Sequence, residues 1–187
     1  MCGLFITSCV LGHLPSTITQ ASTPPSEKIV YTANEEPILT DDLVYELCEA
    51  ILYFRRHSDR SHLDLIINNI RIGNIRLNEV TSQRLLTASI HLGSICNEFI
   101  SFLLDNGYAN VDYINEGGYT PLHCAVTHCN ADAVRILLDH HANTDITDRT
   151  HNLTPRALAL HFIAQSQFLE DSYTEVLNEF NKHAVEE

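Results

Sequence analysis

The sequence contains no tryptophan, one methionine and only two lysines, Lys28 and Lys182. Acidic residues outnumber basic residues by 24 to 11, which gives a formal net charge of −13. A protein that binds nucleic acid needs a basic footprint to neutralise phosphates, and the composition provides none. The charge therefore argues against a nucleic-acid partner and favours a protein partner with a basic surface.

Cysteine pairs at redox or metal-binding spacing are also missing. The six cysteines are scattered and include no Cys-x-x-Cys, a pattern typical of thiols in a reducing compartment, which predicts a cytoplasmic location. No phosphate-binding glycine loop and no His-Glu-x-x-His motif occurs in the sequence. We therefore expect a protein that is not an enzyme and that holds no cofactor and no metal.

The first 26 residues carry no charged side chain. Their apolar run, Leu4–Leu14, lacks the preceding positive charge of a secretory signal and falls short of the roughly 20 residues needed to span a bilayer. We expect residues 1–37 to form a loosely ordered segment, and we expect no transmembrane segment. The alternative is a membrane-proximal anchor that is acylated at Cys2 or Cys9.

Hydrophobic residues recur at helical spacing from residue 41 onward. The pattern predicts helices over 43–54, over 63–70 before Gly73, over 85–90 before Gly93, and over 95–103 before Asn106-Gly107. A further amphipathic helix is predicted over 173–180. Because no stretch alternates with period two for long enough to require a sheet, the predicted fold class is all-α.

The second half of the chain contains a repeat. Residues 120–125 read Thr-Pro-Leu-His-Cys-Ala, and Thr154-Pro155 repeat the first two of these residues 34 positions later. Ala142–Asp145 likewise repeat Ala109–Asp112 after 33 positions. Threonine suits the N-cap of a helix and proline suits its first turn, so each Thr-Pro pair predicts a helix start.

With this motif and this period, the chain resembles an ankyrin-repeat protein. The resemblance implies a short all-α solenoid of helix pairs joined by β-hairpin-like loops. After the N-terminal segment 1–37, residues 38–80 are expected to form a helical pair that is either a cap or a degenerate repeat. Residues 81–187 are expected to hold ankyrin repeats and a C-terminal capping helix. The repeat motif comprises Thr120, Pro121, Leu122, His123, Ala125, Thr154 and Pro155.

Three positions depart from the family's pattern by lacking a glycine. His141 follows the second helix of the clear repeat, Cys129 lies between its two helices, and Asn152 lies in the last hairpin. A left-handed turn is costlier without glycine, so these turns are expected to be strained. Arg156-Ala157 also replace Leu-His in the last repeat, which suggests a polar-faced cap.

A cluster of sulfur and imidazole groups allows a second interpretation. His123, Cys124, His128 and Cys129 include ligand types that zinc accepts, and a Cys–His pair can act as nucleophile and base. A metal-binding or catalytic protein is therefore a remote alternative. We favour ordinary packing, because His123 belongs to the repeat motif, where it serves internal hydrogen bonding.

The resemblance implies a protein–protein interaction module that binds its partner through hairpin tips and the concave helix face, as an adaptor or an inhibitor. The alternative is a two-partner recruiter in which helices of residues 41–80 dock a second complex. Abundant asparagine and isoleucine hint at an AT-rich genome, and such ankyrin proteins include effectors delivered into host cytoplasm. The expected partner-binding residues are Asn115, Glu116, Gly117, Tyr119, Thr127, His128, Asp148, Arg149, His151 and Asn152.

Overall fold

The computed structural model describes residue 50, residues 61–165 and residues 170–186. Regular structure in these ranges is helical, and they contain no β-strand. The helices are α1 (Ser61–Arg71), α2 (Glu79–Leu92), the short 3₁₀ helix η1 (Ser94–Cys96), α3 (Asn97–Asp105), α4 (Pro121–Thr127), α5 (Ala131–Asp139), α6 (Pro155–Gln165) and α7 (Glu170–Glu186).

The helices pack in two rows. Helices α2, α4 and α6 follow one another in the first row, and α3, α5 and α7 follow one another in the second. Each first-row helix also packs against the second-row helix that follows it in the chain. A stack of helix pairs in which each pair contacts its neighbours is a solenoid, so the predicted fold class is confirmed.

A single apolar core runs through the array. It includes Leu63, Ile66 and Ile70 of α1 together with buried residues of the later helices. The guanidinium of Arg71 at the end of α1 lies 5.6 Å from the centre of the Phe102 ring in α3. The predicted helices over 63–70, 85–90, 95–103 and 173–180 are confirmed as α1, α2, η1 with α3, and α7; the one predicted over 43–54 lies outside the described residues.

Helix α4 begins as its sequence predicts. The Thr120 hydroxyl accepts a hydrogen bond from the backbone N–H of His123, and the His123 ring in turn accepts one from the backbone N–H of Thr120. This reciprocal arrangement is a capping box, and it satisfies donors that a helix start leaves without partners. Pro121 occupies the first turn, where its missing N–H costs nothing.

Three helices end in the same left-handed turn. The residue in this turn is Gly107 after α3, Cys129 after α4 and His141 after α5, with φ of 66°, 53° and 61°. At His141 the backbone N–H donates to the Leu138 carbonyl at 2.8 Å, and the next N–H donates to the Leu137 carbonyl at 3.0 Å. These paired bonds form a Schellman motif, and two of the three examples here are built without glycine.

The connecting loops are hairpin-like without forming strands. In the first loop the backbone N–H of Asn115 donates to the Tyr119 carbonyl at 3.0 Å. In the second loop the N–H of Asp148 donates to the Leu153 carbonyl at 2.9 Å. The second loop closes over one more residue than the first, as the longer spacing in the sequence indicates.

Candidate binding surface

The tip of the first loop presents a small exposed surface. Glu116 and Gly117 are exposed, and Tyr119 is half-buried. Asn115 holds the tip in shape, because its side-chain oxygen accepts a hydrogen bond from the Tyr119 backbone N–H at 3.0 Å. The Tyr119 ring meets the His123 ring edge-on, with 6.0 Å between the ring centres. The tip is therefore anchored to α4 on one side and open on the other.

The second loop lies directly on the first. The Arg149 backbone N–H donates to the Gly118 carbonyl at 3.4 Å. A Cβ atom added to Gly118 would lie 2.6 Å from Cβ and Cγ of Arg149, so the aliphatic stem of Arg149 covers the glycine. Gly118 also has a φ of 81°, which favours glycine. The two tips are consequently fixed relative to each other, and Arg149 is exposed above the first tip.

Asp148 lies inside the second loop instead of on its surface. The residue is 2% exposed, and its carboxylate accepts hydrogen bonds from the backbone N–H groups of Thr150 at 2.7 Å, His151 at 2.6 Å and Leu153 at 3.2 Å. The expectation that this side chain meets a partner is corrected here, because its oxygens are used to shape the loop. Burial would raise the pKa of this carboxyl, but the three N–H donors outweigh burial and lower it.

The rest of the second tip is open to solvent. Arg149, His151 and Asn152 are exposed, and the His151 side chain retains 41% of its accessible surface. The His151 ring nitrogen Nδ1 lies 3.6 Å from the Asp148 carboxylate. Asn152 adopts a φ of 52° and its side-chain oxygen accepts a hydrogen bond from the Thr147 hydroxyl.

Helix α4 supplies the inner part of the surface. Thr127 is exposed, although its hydroxyl donates to the His123 carbonyl at 2.8 Å, and His128 is half-buried. The His123 ring nitrogen Nε2 lies 3.0 Å from the Leu153 carbonyl and so links α4 to the second loop. Burial lowers the pKa of His123, and the Leu153 carbonyl and Asp148 only partly oppose this effect. The neutral ring therefore acts as a structural bridge, as the repeat motif implies.

The Cys–His cluster does not converge on an open site. His123 and Cys124 are buried, and the Asn115 amide lies 3.8 Å from the Cys124 sulfur. Among the described residues, no three side chains of histidine, cysteine, aspartate or glutamate are grouped so that they could hold one metal ion. The four cluster residues thus line the interior and the end of α4, where their contacts are structural.

Two links between repeats were not foreseen in the sequence. The Asn130 side chain donates to the Ile90 carbonyl at 3.1 Å across 40 positions, and the His91 ring stacks on the His128 ring with 3.9 Å between their centres. Helical periodicity carries no signal for either link, because it specifies which face of a helix is buried and not which residue it meets.

Comparison with known proteins agrees with this architecture. The sequence matches the profile of ankyrin repeats, in three copies, over residues 47–149, which is more than half of the chain. The chain belongs to the ankyrin-repeat family. The matched region extends well before the Thr120 motif of this ankyrin-repeat chain and includes α1, α2 and α3.

The chain is also similar to the BTB/POZ domain and ankyrin repeat-containing protein NBCL of Lupinus angustifolius, with 31% identity over 108 residues. The similar region covers 57% of this chain and 21% of the lupin protein, so the chain spans about a fifth of that protein's length. Among the helices of the described residues, none is both long enough and apolar enough to cross a bilayer.

Proposed function

We propose that this ankyrin-repeat protein binds a partner protein through its hairpin tips and its concave helix face, to which α4 contributes Thr127 and His128 at its end, as an adaptor or an inhibitor and without catalysis. Ankyrin repeats are protein–protein interaction modules, and the family is typically non-catalytic. The observation that carries the proposal is the contact between the two tips, in which the Arg149 stem covers Gly118. That contact presents side chains of successive repeats as one surface.

The rigidity of this surface supports a binding role. Asn115 fixes the first tip through its bond to Tyr119, and Asp148 fixes the second through three backbone N–H groups. A loop that is already held in one conformation loses little entropy when a partner binds. Tyr119 and Arg149 are the residue types that most often dominate binding energy at protein interfaces.

The charge of the chain supports a partner with a basic surface. The net charge of −13 is expected to speed encounter with such a protein and to make the association rate depend on salt. The tips carry both signs, since Glu116 and Arg149 are both exposed. The negative electrostatic field of the whole chain is therefore proposed to attract the partner, and the charges at the tips are proposed to select it.

Exchanging the two tip charges tests the proposal. The variant Glu116→Arg/Arg149→Glu keeps the net charge and changes the charge pattern of the tips. Its matched control, Asp132→Arg/Arg135→Asp, makes the same exchange on α5, where the two side chains already lie 3.6 Å apart. Both variants and the wild type are used to capture proteins from lysate, and a captured protein is then purified for titration calorimetry.

A partner whose affinity falls at least tenfold with the tip exchange and less than twofold with the α5 exchange supports the proposal. Equal affinity of all three proteins for the purified partner contradicts it and moves the binding surface elsewhere. Circular dichroism and the urea midpoint of both variants show that each is folded before binding is compared.

We further propose that α1 belongs to the repeat array and not to a separate recruiting unit. The family match begins at residue 47, and the apolar side of α1 shares the core of the later repeats. This placement weakens the two-partner alternative. We also propose a cytoplasmic location, on the cysteine pattern alone.

A further inference from the structure

Two histidine rings lie face to face where α2 meets α4. His91 stands in the last turn of α2, and His128 forms the C-cap of α4. Their ring centres are 3.9 Å apart and their planes are inclined by 24°. This stack joins two consecutive repeats at the ends of their first-row helices.

The surroundings of His91 suit only a neutral ring. Its Nε2 atom is buried and has no hydrogen-bond partner. A protonated imidazole carries a donor on both nitrogens, so a charged His91 would leave a buried N–H without an acceptor. The ring nitrogen Nδ1 of His128 is occupied by the Cys124 carbonyl at 2.9 Å. His91 therefore cannot satisfy a second proton within the stack.

Electrostatics act in the same direction. Burial lowers the pKa of His91, and the neighbouring charge of His128 lowers it further, to about 3. Within the part of the chain that the structure describes, no carboxylate opposes this effect. The other titratable or charged side chains on α2 itself and on the described elements packed against it are Glu79 and Arg84 in α2, Cys96 in η1, Glu98 and Asp105 in α3, and His123 and Cys124 in α4.

A hydrogen bond beside the stack depends on the same spacing. The Asn130 amide donates to the Ile90 carbonyl, one residue before His91. The Asn130 side-chain oxygen also caps α5 by accepting from the Ala133 N–H at 3.1 Å. A movement of α2 away from α4 breaks the first bond and disturbs the residue that starts α5. The contact thus connects α2, α4 and α5.

We propose that the stacked pair His91–His128 is an acid-sensitive contact that holds α2 against α4 at neutral pH and releases it in mild acid. In the closed form His91 excludes a proton. In the open form its ring reaches water and takes one up. Acid therefore favours the open form, and the array comes apart first between the α2–α3 pair and the α4–α5 pair.

The direction and the size of the pH effect on closing follow from the difference in proton binding between the closed and open forms. Because the closed form holds His91 below its ordinary pKa, the open form binds more protons as the pH falls below 6.5. Between pH 7 and pH 5 the equilibrium constant for closing is expected to fall about 25-fold from this residue alone.

The variant His91→Phe keeps a stacking ring that cannot be protonated. Its matched control is His161→Phe, which makes the same replacement at the ring contact between His161 and His151 in the next repeat. Urea unfolding of the full chain is measured at pH 7 and pH 5. Wild type and His161→Phe are expected to lose about 25-fold more in folding equilibrium constant than His91→Phe loses over the same interval.

Two measurements on the wild type make the test independent of the variant's folding. Imidazole resonances are followed from pH 8 to pH 4, and amide exchange of α2, α4 and α7 is measured by mass spectrometry at pH 7 and pH 5 with correction for intrinsic rates. The proposal predicts that exchange rises in α2 and α4 before α7. It is overturned if His91 titrates near pH 6.5 in the folded protein, or if His91→Phe keeps the full acid sensitivity.

Discussion

Replacing His141 by glycine is expected to stabilise the protein by about 0.5–1 kcal/mol. His141 follows the end of α5 with a φ of 61°, a conformation in which an L side chain is strained. The two hydrogen bonds of the turn are made by the backbone of His141 and Ala142. The substitution therefore removes the strain and keeps the turn.

Two opposing effects set this magnitude. A non-glycine residue in the left-handed region costs about 1–2 kcal/mol. Glycine also destabilises the folded state by about 0.4–1 kcal/mol relative to the unfolded chain, because it makes the unfolded chain more flexible. This effect offsets part of the strain that the substitution relieves. The His141 side chain is exposed, so its removal loses little buried surface area. The remaining difference should raise the melting temperature by about 1–4 °C in a chain of this size.

Urea unfolding followed by circular dichroism at 222 nm measures the effect. The reverse substitution is Gly107→Ala, at the equivalent turn after α3. There φ is 66° and an added Cβ meets no atom within 4 Å. It should lose about 1 kcal/mol from backbone strain alone. The variant His141→Ala keeps a Cβ and should gain nothing. The reasoning is refuted if His141→Ala stabilises as much as His141→Gly, or if Gly107→Ala costs nothing.

Three further substitutions probe the hydrogen bonds between and within repeats. Thr120→Ala should cost about 1 kcal/mol of unfolding free energy, because it removes the α4 cap; an unchanged urea midpoint would contradict this. Asn130→Ser retains a side-chain oxygen that can cap α5 but loses the amide that donates to the Ile90 carbonyl. It should therefore fall between wild type and Asn130→Ala in the same assay. Asp148→Asn should cost about 1–3 kcal/mol at pH 7. Because the folded pKa of Asp148 is lowered, the stability that its carboxylate contributes is present above the unfolded value of 3.8 and lost below it. The gap between wild type and Asp148→Asn should consequently shrink below pH 4, and a constant gap would refute the role of the carboxylate.

The local features of this fold could be predicted because each depends on a few neighbouring residues. Thr120 and Pro121 specify a helix start through one side-chain acceptor and one missing donor, and the structure shows both. The helix ends followed from Gly73, Gly93 and the Asn106-Gly107 pair for similar reasons. The left-handed turns at Cys129 and His141 were expected from the resemblance to the family, although their residue types argue against such turns.

The end of the array was harder to predict. Arg156, which was expected to belong to a polar-faced cap, is exposed and donates to the Asn181 side chain at 3.1 Å. Leu160, however, is 51% exposed, whereas Val126 at the equivalent position of the previous repeat is fully buried. An apolar side chain at this position is covered where another repeat packs on it and uncovered where no described residue does. A pattern of hydrophobic residues cannot distinguish these cases, because it indicates which face of a helix is apolar and not whether another helix packs on that face.

Asp148 shows why the surface was predicted less well than the helices. The resemblance to the family grouped this residue with the partner contacts, because it lies in a hairpin whose tip is expected to bind. Its equivalent one repeat earlier is Asn115, whose side chain also accepts a hydrogen bond from its own loop. Aspartate and asparagine often accept hydrogen bonds from backbone N–H groups a few residues ahead. A polar residue in a loop can therefore have a structural role instead of an exposed binding role. Two such residues at equivalent positions of successive repeats indicate a structural role, because a residue that contacts a partner need not recur at the same position of each repeat. The repeat therefore offers a means of separating the residues that shape the tips from those that are free to select a partner, such as Glu116 and Arg149.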